Sequence, residues 1–370
     1  MKIAIIAPFE EFGGSEHQIL YLLRGLRSHN VEVLFCHMEI RSSQLIAALK
    51  ALPECRATQI DFRGIRHPLS FWRDARALAE LLRRNQVDAV NCWNYSGHII
   101  GGVASWMAGM PCIFSIRGID PWKKAWHLPF YRLLNRLPTA FAFQSSAQRD
   151  IVCRREWIPR ERTSIVPNGI DRKRFLPGDR LAAKRHLQDC LGISPDLPVV
   201  LSVGSLRRIK GHDILIEAVR LIRAQYPDLE FNVVIVGEGP LRREYERMSQ
   251  GLPISFPGFH EDVVWMYQAA DIYCQPSRAE GLPNAVIEAM SCGLPIVAAD
   301  VGGVDDLVSK ANGLLCGPED AKSLACALHA MLTDPAVRAT LADVSLRLSE
   351  RFSSERMVTE YMALYQDGAK

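Results

Sequence analysis

The opening stretch KIAIIAP (residues 2–8), HQILYLLRGLRSHN (17–30) and VEVLFC (31–36) sets a short apolar run, a longer segment with apolar residues three and four apart, and a second short run. The short runs have the length and continuity of strands covered on both faces, and the middle segment has the period of a helix. The order recurs in DAVNCW (88–93), GHIIGGVASWMAGM (97–110) and PCIFSI (111–116). Strands alternating with helices predict a parallel sheet flanked by helices, so the first half of the chain is expected to be one α/β domain.

Between residues 167 and 198 the alternation stops. PNGIDRKRFLPGDR (167–180) and GISPDLP (192–198) are dense in proline, glycine and charge, and read as an interdomain linker. PVVLSVG (198–204) restarts the pattern, and FNVVIVG (231–237), PISFPG (253–258), DIYCQPS (271–277) and PIVAAD (295–300) continue it, each trailed by a helix or turn. At 370 residues the chain exceeds what one hydrophobic core usually supports, which agrees with a second α/β domain. The final SSERMVTEYMALYQ (353–366) carries Met357, Tyr361, Met362 and Tyr365 at roughly helical spacing, so one side of that helix packs on something. Open parallel sheets put their ligands at the carboxyl ends of the strands, and a site is expected in a central cleft where two such domains face each other.

With 48% apolar and 23% charged residues the chain can bury two cores, and a net charge of +3 from 44 basic and 41 acidic residues gives no general attraction for a polyanion. A nucleic-acid partner is not expected. The first apolar run meets Pro8 and Glu10, too short for the apolar region of a secretory leader, and no window approaches the roughly 18 apolar residues of a membrane span. The 10 cysteines are scattered singly, with no C-x-x-C and no histidine pair at metal spacing. This speaks against zinc and a disulfide framework and for a reducing cytoplasm. Cys153 and Cys292 are expected to be buried, inert thiols.

EGLPNAVIE (280–288) places two acids around a kinked loop. Pro283 suits the first turn of a helix, where its missing N–H needs no partner. Gly281 and Leu282 then form the entry loop, and their N–H groups with the positive end of the helix make a place for an anion such as phosphate. A carboxylate accepts two hydroxyl hydrogen bonds, so sugar rings suit Glu280 and Glu288. A nucleotide sugar has that order of parts: hexose, diphosphate, ribose. By itself the pair is weak evidence, because two glutamates at this spacing often belong to a solvated helix face.

VGSLRRIKG (203–211) follows a strand and runs into the helical HDILIEAV (212–219), which makes a second phosphate clamp, with Lys210 as a point charge and Arg207 or Arg208 able to contact a phosphate bidentately. VIVGEGPLRREY (234–245) has glycines after a strand, but GEGP is not G-x-G-x-x-G, so a nicotinamide cofactor is not expected.

The sequence resembles a retaining glycosyltransferase of the GT-B fold, family 4, also called glycosyl transferases group 1. The resemblance runs nearly end to end, through GGSEHQ (13–18), IVPNGIDRKRF (165–175), VGSLRRIKG, VVIVGEGPLR (233–242), ISFPGF (254–259), the long segment 271–303, NGLL (312–315) and FSSERM (352–357). It implies two Rossmann-like domains: an acceptor-binding domain over 1–175, to which the C-terminal helix of about 352–370 returns, and a nucleotide-sugar donor domain over 185–350. It also implies that Glu280 lies by the donor hexose, that Glu288 binds the ribose, and that Gly281, Leu282 and Pro283 hold sugar and distal phosphate. Lys210 would neutralise the diphosphate leaving group without a metal or other cofactor, Gly14 would approach the donor phosphate, and Gly258 and Phe259 would lie near the nucleobase.

Three positions depart from the family pattern. Ser205 stands where an arginine is common, which leaves Arg207 or Arg208 to supply the guanidinium. Arg117, in SIRGID (115–120), stands where many relatives carry a histidine near the reacting sugar, so a permanently charged donor replaces a titratable group, with Asp120 as a second candidate or a helix cap. Asp306 in GGVDD replaces the usual glutamate.

PWKKAWHLPFYRLLNRLP (121–138) interleaves Trp122, Trp126, Phe130 and Leu133 with Lys123, Lys124, Arg132 and Arg136, a pattern that suits the interface of an anionic membrane or a helix with its aromatic side in the core. The expected partners are a nucleotide-sugar donor and a glycan or lipid-linked acceptor, with polysaccharide or lipopolysaccharide biosynthesis at the inner face of the plasma membrane as the setting. A soluble sugar or sugar-phosphate acceptor, or a nucleotide-sugar binder that has lost catalysis, are the alternatives.

Overall fold

The computed structural model describes residues 1–7, 14–38, 40, 43–52, 55–62, 67–118 and 124–368. They fall into two units, Met1–Gly169 with Ser354–Lys370, and Ile170–Ser353.

The first unit holds, among the described residues, seven parallel strands: β1 (Lys2–Ala7), β2 (Glu32–His37), β3 (Cys55–Gln59), β4 (Ala89–Trp93), β5 (Cys112–Ile116), β6 (Ala140–Phe143) and β7 (Thr163–Ile165), in the order β3-β2-β1-β4-β5-β6-β7. The continuous apolar run of β1 has a simple cause. Ile3, Ile5 and Ala7 share a core with the helices Gly14–Ser28 and Ser354–Gly368, while Ala4 and Ile6 share another with Pro68–Arg84 and Asn94–Ala108. Both faces are covered, so neither can be polar. The C-terminal helix buries Met357, Val358, Tyr361 and Tyr365, whereas Met362, expected from its spacing to point inward, is only partly buried and Val358 takes that place.

The second unit repeats the architecture with six parallel strands: β8 (Val199–Val203), β9 (Asn232–Val236), β10 (Ile254–Gly258), β11 (Ile272–Gln275), β12 (Ile296–Ala299) and β13 (Gly313–Cys316), in the order β10-β9-β8-β11-β12-β13. The order reverses between β8 and β11, the switch point at which loops leave a parallel sheet in opposite directions and open a crevice.

The segment read as linker contains a helix, Arg180–Leu191. Its ends carry ordinary signals: the Asp179 carboxylate accepts the Ala182 N–H at 3.0 Å, and Gly192 closes it in the left-handed region. Only Ala183 and Leu187 of it are buried, so its apolar stripe is too thin to stand out between two proline-rich flanks. All 10 cysteines are free thiols, with Cys153 and Cys292 both buried. No described helix is long and apolar enough to cross a membrane.

Candidate active site

Two loops leave the switch point of the second sheet. The one after β8 runs through a single tight turn, Arg208–Lys210, and ends at Gly211, whose φ is +68°. The one after β11 runs from Pro276 to Pro283 and enters the helix Asn284–Ser291. A side chain at Gly211 would place its Cβ 1.9 Å from the Pro276 carbonyl oxygen, so only glycine lets the two loops lie this close.

That closeness brings Lys210 and Glu280 together. The Lys210 ammonium donates to Glu280 Oε1 at 2.8 Å, and the same oxygen accepts from Gln275 Nε2 at 2.9 Å and Ser277 Oγ at 2.6 Å. Gln275 is oriented in turn by the buried Tyr273, whose hydroxyl donates to Gln275 Oε1 at 2.7 Å. Three donors on one oxygen fix the carboxylate in rotation, and the other oxygen, Oε2, takes none of them. The backbone of Glu280 is held from behind by Gly302, whose Cβ would sit 1.8 Å from the Glu280 carbonyl, and by Gly303, whose N–H donates to the Gly281 carbonyl at 3.0 Å.

Arg278 ties the two loops at a second point. Its guanidinium forks onto Asp213 at 2.8 and 2.6 Å, donates to the Arg208 carbonyl at 2.7 Å and reaches Glu319 at 3.0 Å. Its own N–H donates to the Ile209 carbonyl at 2.8 Å. Asp213 opens the helix His212–Gln225; burial works against its charge, but the Arg278 hydrogen bonds outweigh that and hold its carboxyl below the usual range. Arg207 and Arg208 are exposed on the same turn. Beneath it His212 is buried, and burial pulls its imidazole down to about 4, so it is neutral at pH 7.

Glu288 lies in the helix after Glu280. Burial pushes its carboxyl above the usual range, and the hydroxyl of the buried Tyr267, donating at 2.8 Å, works the other way. Pro283 does not occupy the first turn of that helix, as its sequence position suggested. It precedes the helix with ψ 116°, an extended backbone, and Asn284 is the first helical residue. Leu282 is buried and Gly281 half-buried beside it. Gly258 ends the edge strand β10 and the exposed Phe259 follows it, two strands away from β8, or roughly 10 Å at the usual strand spacing.

The first unit holds the remaining candidates. Gly14 opens the helix after β1. Arg117, at the end of β5, donates to Asn168 Oδ1 at 3.1 Å and to the hydroxyl of Tyr361, and lies 4.3 Å over the Trp93 ring. Burial pulls its guanidinium down to about 9, which leaves it cationic at neutral pH. It also lines a cavity of about 180 Å³ at the ends of β4 and β5, with Asn94, Tyr95, His98, Asn135 and Glu156. Lys124 and Trp126 are exposed, while Asp120, Trp122 and Lys123 lie outside the described residues. Among the described residues no cluster of three or more His, Cys, Asp or Glu could hold a metal ion. Sequence reasoning missed Gln275, Ser277, Arg278, His212 and Tyr267; the run QPSRAEG was the available signal for the first three, since it adjoins Glu280.

Residues 12–174 match the family described as Glycosyltransferase Family 4, and residues 197–334 match Glycosyl transferases group 1. The chain carries a family 4 glycosyltransferase domain followed by a group 1 domain. The Lys210–Glu280 pair and Glu288 all belong to the group 1 domain. A D-inositol 3-phosphate glycosyltransferase of Geodermatophilus obscurus is 36% identical over 225 residues, 56% of this chain and 48% of that one. The chain spans about half the length of the curated relatives it matches. Among solved structures, a glycosyltransferase from Rickettsia africae superposes with a TM-score of 0.88 at 16% identity, covering 100% of this chain and 98% of that one. Anabaena HepE in complex with UDP and glucose gives 0.84 at 21%, covering 99% of each. These likenesses establish the GT-B fold for the whole chain.

Proposed function

We propose that the chain transfers a hexose from a nucleoside-diphosphate sugar to a glycan or lipid-linked acceptor, with polysaccharide or lipopolysaccharide biosynthesis in the cytoplasm as its setting. The observation that carries this reading is the Lys210–Glu280 pair, fixed where the second sheet changes direction, inside the group 1 domain. Breaking the bond between the sugar and the diphosphate builds negative charge on the departing phosphate, so fixed positive charge aimed there is the strongest catalytic device available. Lys210 supplies it, with Arg207 or Arg208 beside it. Glu280 Oε2 accepts from a hexose hydroxyl, and Glu288 accepts from the ribose. Gly281, Leu282 and Pro283 lead the diphosphate to the start of the helix Asn284–Ser291, while Gly258 and Phe259 flank the base. Within the first unit the candidates are Gly14 and Arg117, the latter as a binder of phosphate or sugar hydroxyls. The acceptor oxygen attacks the anomeric carbon on the face from which the diphosphate leaves, with retention and without a metal or other cofactor. Anabaena HepE in its complexes makes a uracil nucleotide the first donor to test.

The relative named for D-inositol 3-phosphate favours a second reading, a small phosphorylated polyol as acceptor. The polar lining of the cavity at Asn94, His98, Arg117 and Asn135 suits either acceptor.

A panel of nucleotide sugars, read by thermal shift and by release of nucleoside diphosphate with and without EDTA, tests the assignment. The expected outcome is metal-independent turnover with one donor, lowered about a hundredfold by Lys210→Ala, roughly 3 kcal/mol of transition-state stabilisation. Glu288→Ala is expected to weaken donor binding instead. Tight donor binding with no release over hours would make the chain a binding protein, and wild-type behaviour of both variants would remove the site.

A further inference from the structure

Two polar side chains stand in the apolar middle of the first sheet. Asn91 in β4 and Ser115 in β5 lie on neighbouring strands and both are fully buried. Buried groups of this kind destabilise a core unless they are hydrogen-bonded, so their partners say what they are for. The Ser115 hydroxyl donates to Asn91 Oδ1 at 2.7 Å, which uses its one proton. The Tyr361 hydroxyl, 2.9 Å from Ser115 Oγ, is therefore the donor in that contact, and it accepts in turn from the Arg117 guanidinium. The chain of bonds runs one way, from Arg117 through Tyr361 and Ser115 to Asn91. It links two strands to the helix Ser354–Gly368, all within the first unit.

The Tyr361 ring adds a second constraint. It stacks on Trp93 with centroids 6.1 Å apart, and the guanidinium lies 4.3 Å over Trp93 and 5.3 Å over Tyr361. Asn168 Oδ1 at 3.1 Å and the Val166 carbonyl at 3.3 Å complete its contacts among the described residues. Every one of these partners is neutral. A carboxylate would hold the guanidinium equally well but cancel its charge, whereas neutral acceptors and ring faces fix it and leave the charge for a ligand. Burying this side of the helix requires only the ring, which phenylalanine also has; the hydroxyl serves the polar chain.

We propose that Tyr361 is a positioning residue for sugar transfer: through its hydroxyl, backed by Ser115 and Asn91, the C-terminal helix fixes the Arg117 guanidinium at the wall of the cavity beside β4 and β5. The inference rests on the reading of Arg117 as a binder of phosphate or sugar hydroxyls, and adds what holds that binder in place.

Tyr361→Phe keeps the ring and removes one oxygen. Val358→Ala, on the same helix against Gly25, loosens packing without touching the polar chain. UDP release from UDP-glucose is measured for both, for Arg117→Ala, and for Arg117→Ala combined with Tyr361→Phe, with circular dichroism melts to show that each variant is folded. Tyr361→Phe is expected to lower kcat/KM about tenfold, and Val358→Ala to lower Tm while leaving kcat/KM near wild type. In the Arg117→Ala background the Tyr361 change should have no further effect, because a residue that acts only through Arg117 then has nothing to hold. Crystal structures supply a readout independent of turnover: in Tyr361→Phe the guanidinium should leave its place over Trp93, and in Val358→Ala it should stay. Where UDP-glucose is not turned over, the crystal structures alone decide. Unchanged kcat/KM in Tyr361→Phe, an equal loss in both backgrounds, or an unmoved guanidinium would each overturn the proposal while leaving Arg117 in the site. Wild-type kcat/KM in Arg117→Ala would instead remove Arg117 from the site, and the proposal with it.

Discussion

Arg278 decides where Lys210 stands, although it carries no charge to a substrate itself. It holds Asp213 bidentately and the Arg208 carbonyl at 2.7 Å, so the turn that presents Lys210 is tied to the loop that presents Glu280. Arg278→Ala should cut turnover about tenfold while changing nucleoside-diphosphate affinity much less, because the ammonium and the carboxylate remain but their spacing loosens. Arg278→Lys should not rescue it, since a point charge cannot span both Asp213 oxygens and the carbonyl. A loss confined to affinity, or full rescue by lysine, would reduce Arg278 to one ion pair among several. The sequence showed Lys210, Glu280 and Glu288 because their spacing to glycines and strand ends carries the information. It was silent on Arg278 and Tyr267, whose partners Asp213 and Glu288 lie 65 and 21 residues away in the chain and are chosen only when the sheet is assembled.

At the scale of elements, the turn Arg208–Lys210 rests on a histidine that cannot easily charge. The His212 imidazole is buried under that turn, with Ser202 Oγ at 3.5 Å from Nδ1, and its protonation is depressed first by burial and also by the nearby Lys210. Its folded value of about 4 lies below the usual 6.5. Above pH 6.5 both states are neutral there and the group is without effect; below it the unfolded chain takes up a proton that the folded chain refuses. Stability should therefore fall as pH drops from about 6.5 to 4, by about 3 kcal/mol in all from this one group. Glu288, raised by burial, works in the opposite sense. Denaturant titrations of wild type and His212→Gln at several pH values isolate the histidine: the difference between the two should narrow as pH falls, and a constant difference would show that His212 titrates normally in the fold. Strands covered on both faces, such as KIAIIA, were legible because their apolar runs are unbroken. The edge strand CRATQ and the short β7, TSI, were not, because an edge pairs on one side only and needs no apolar run.

For the whole molecule, connectivity makes the two units unequal. Ile170–Ser353 is one continuous piece with its own two-sided core. The other unit is closed only when Ser354–Gly368 returns to it and buries Met357, Val358, Tyr361 and Tyr365, with the Tyr365 hydroxyl accepting from Asn91 at 2.7 Å and Tyr361 meeting Ser115 at 2.9 Å. Each large buried side chain contributes roughly 1.5–3 kcal/mol, so four of them are worth roughly 6–12 kcal/mol, as much as a whole domain's net stability. The amphipathic spacing of that helix was plain in the sequence, but only its resemblance to known chains named the surface it covers. A fragment of residues 170–353 should thus melt cooperatively and be stabilised by a nucleoside diphosphate, by about 2.7 kcal/mol at 100 times its dissociation constant. A fragment of residues 1–169 should lack a cooperative transition until a 354–370 peptide is supplied. Circular dichroism melts and calorimetry on the two pieces decide the matter. A fragment 170–353 that folds yet ignores nucleotide would detach the Lys210–Glu280 pair from donor binding, whereas a cooperative melt of 1–169 alone would show that the returning helix is an accessory to the first core.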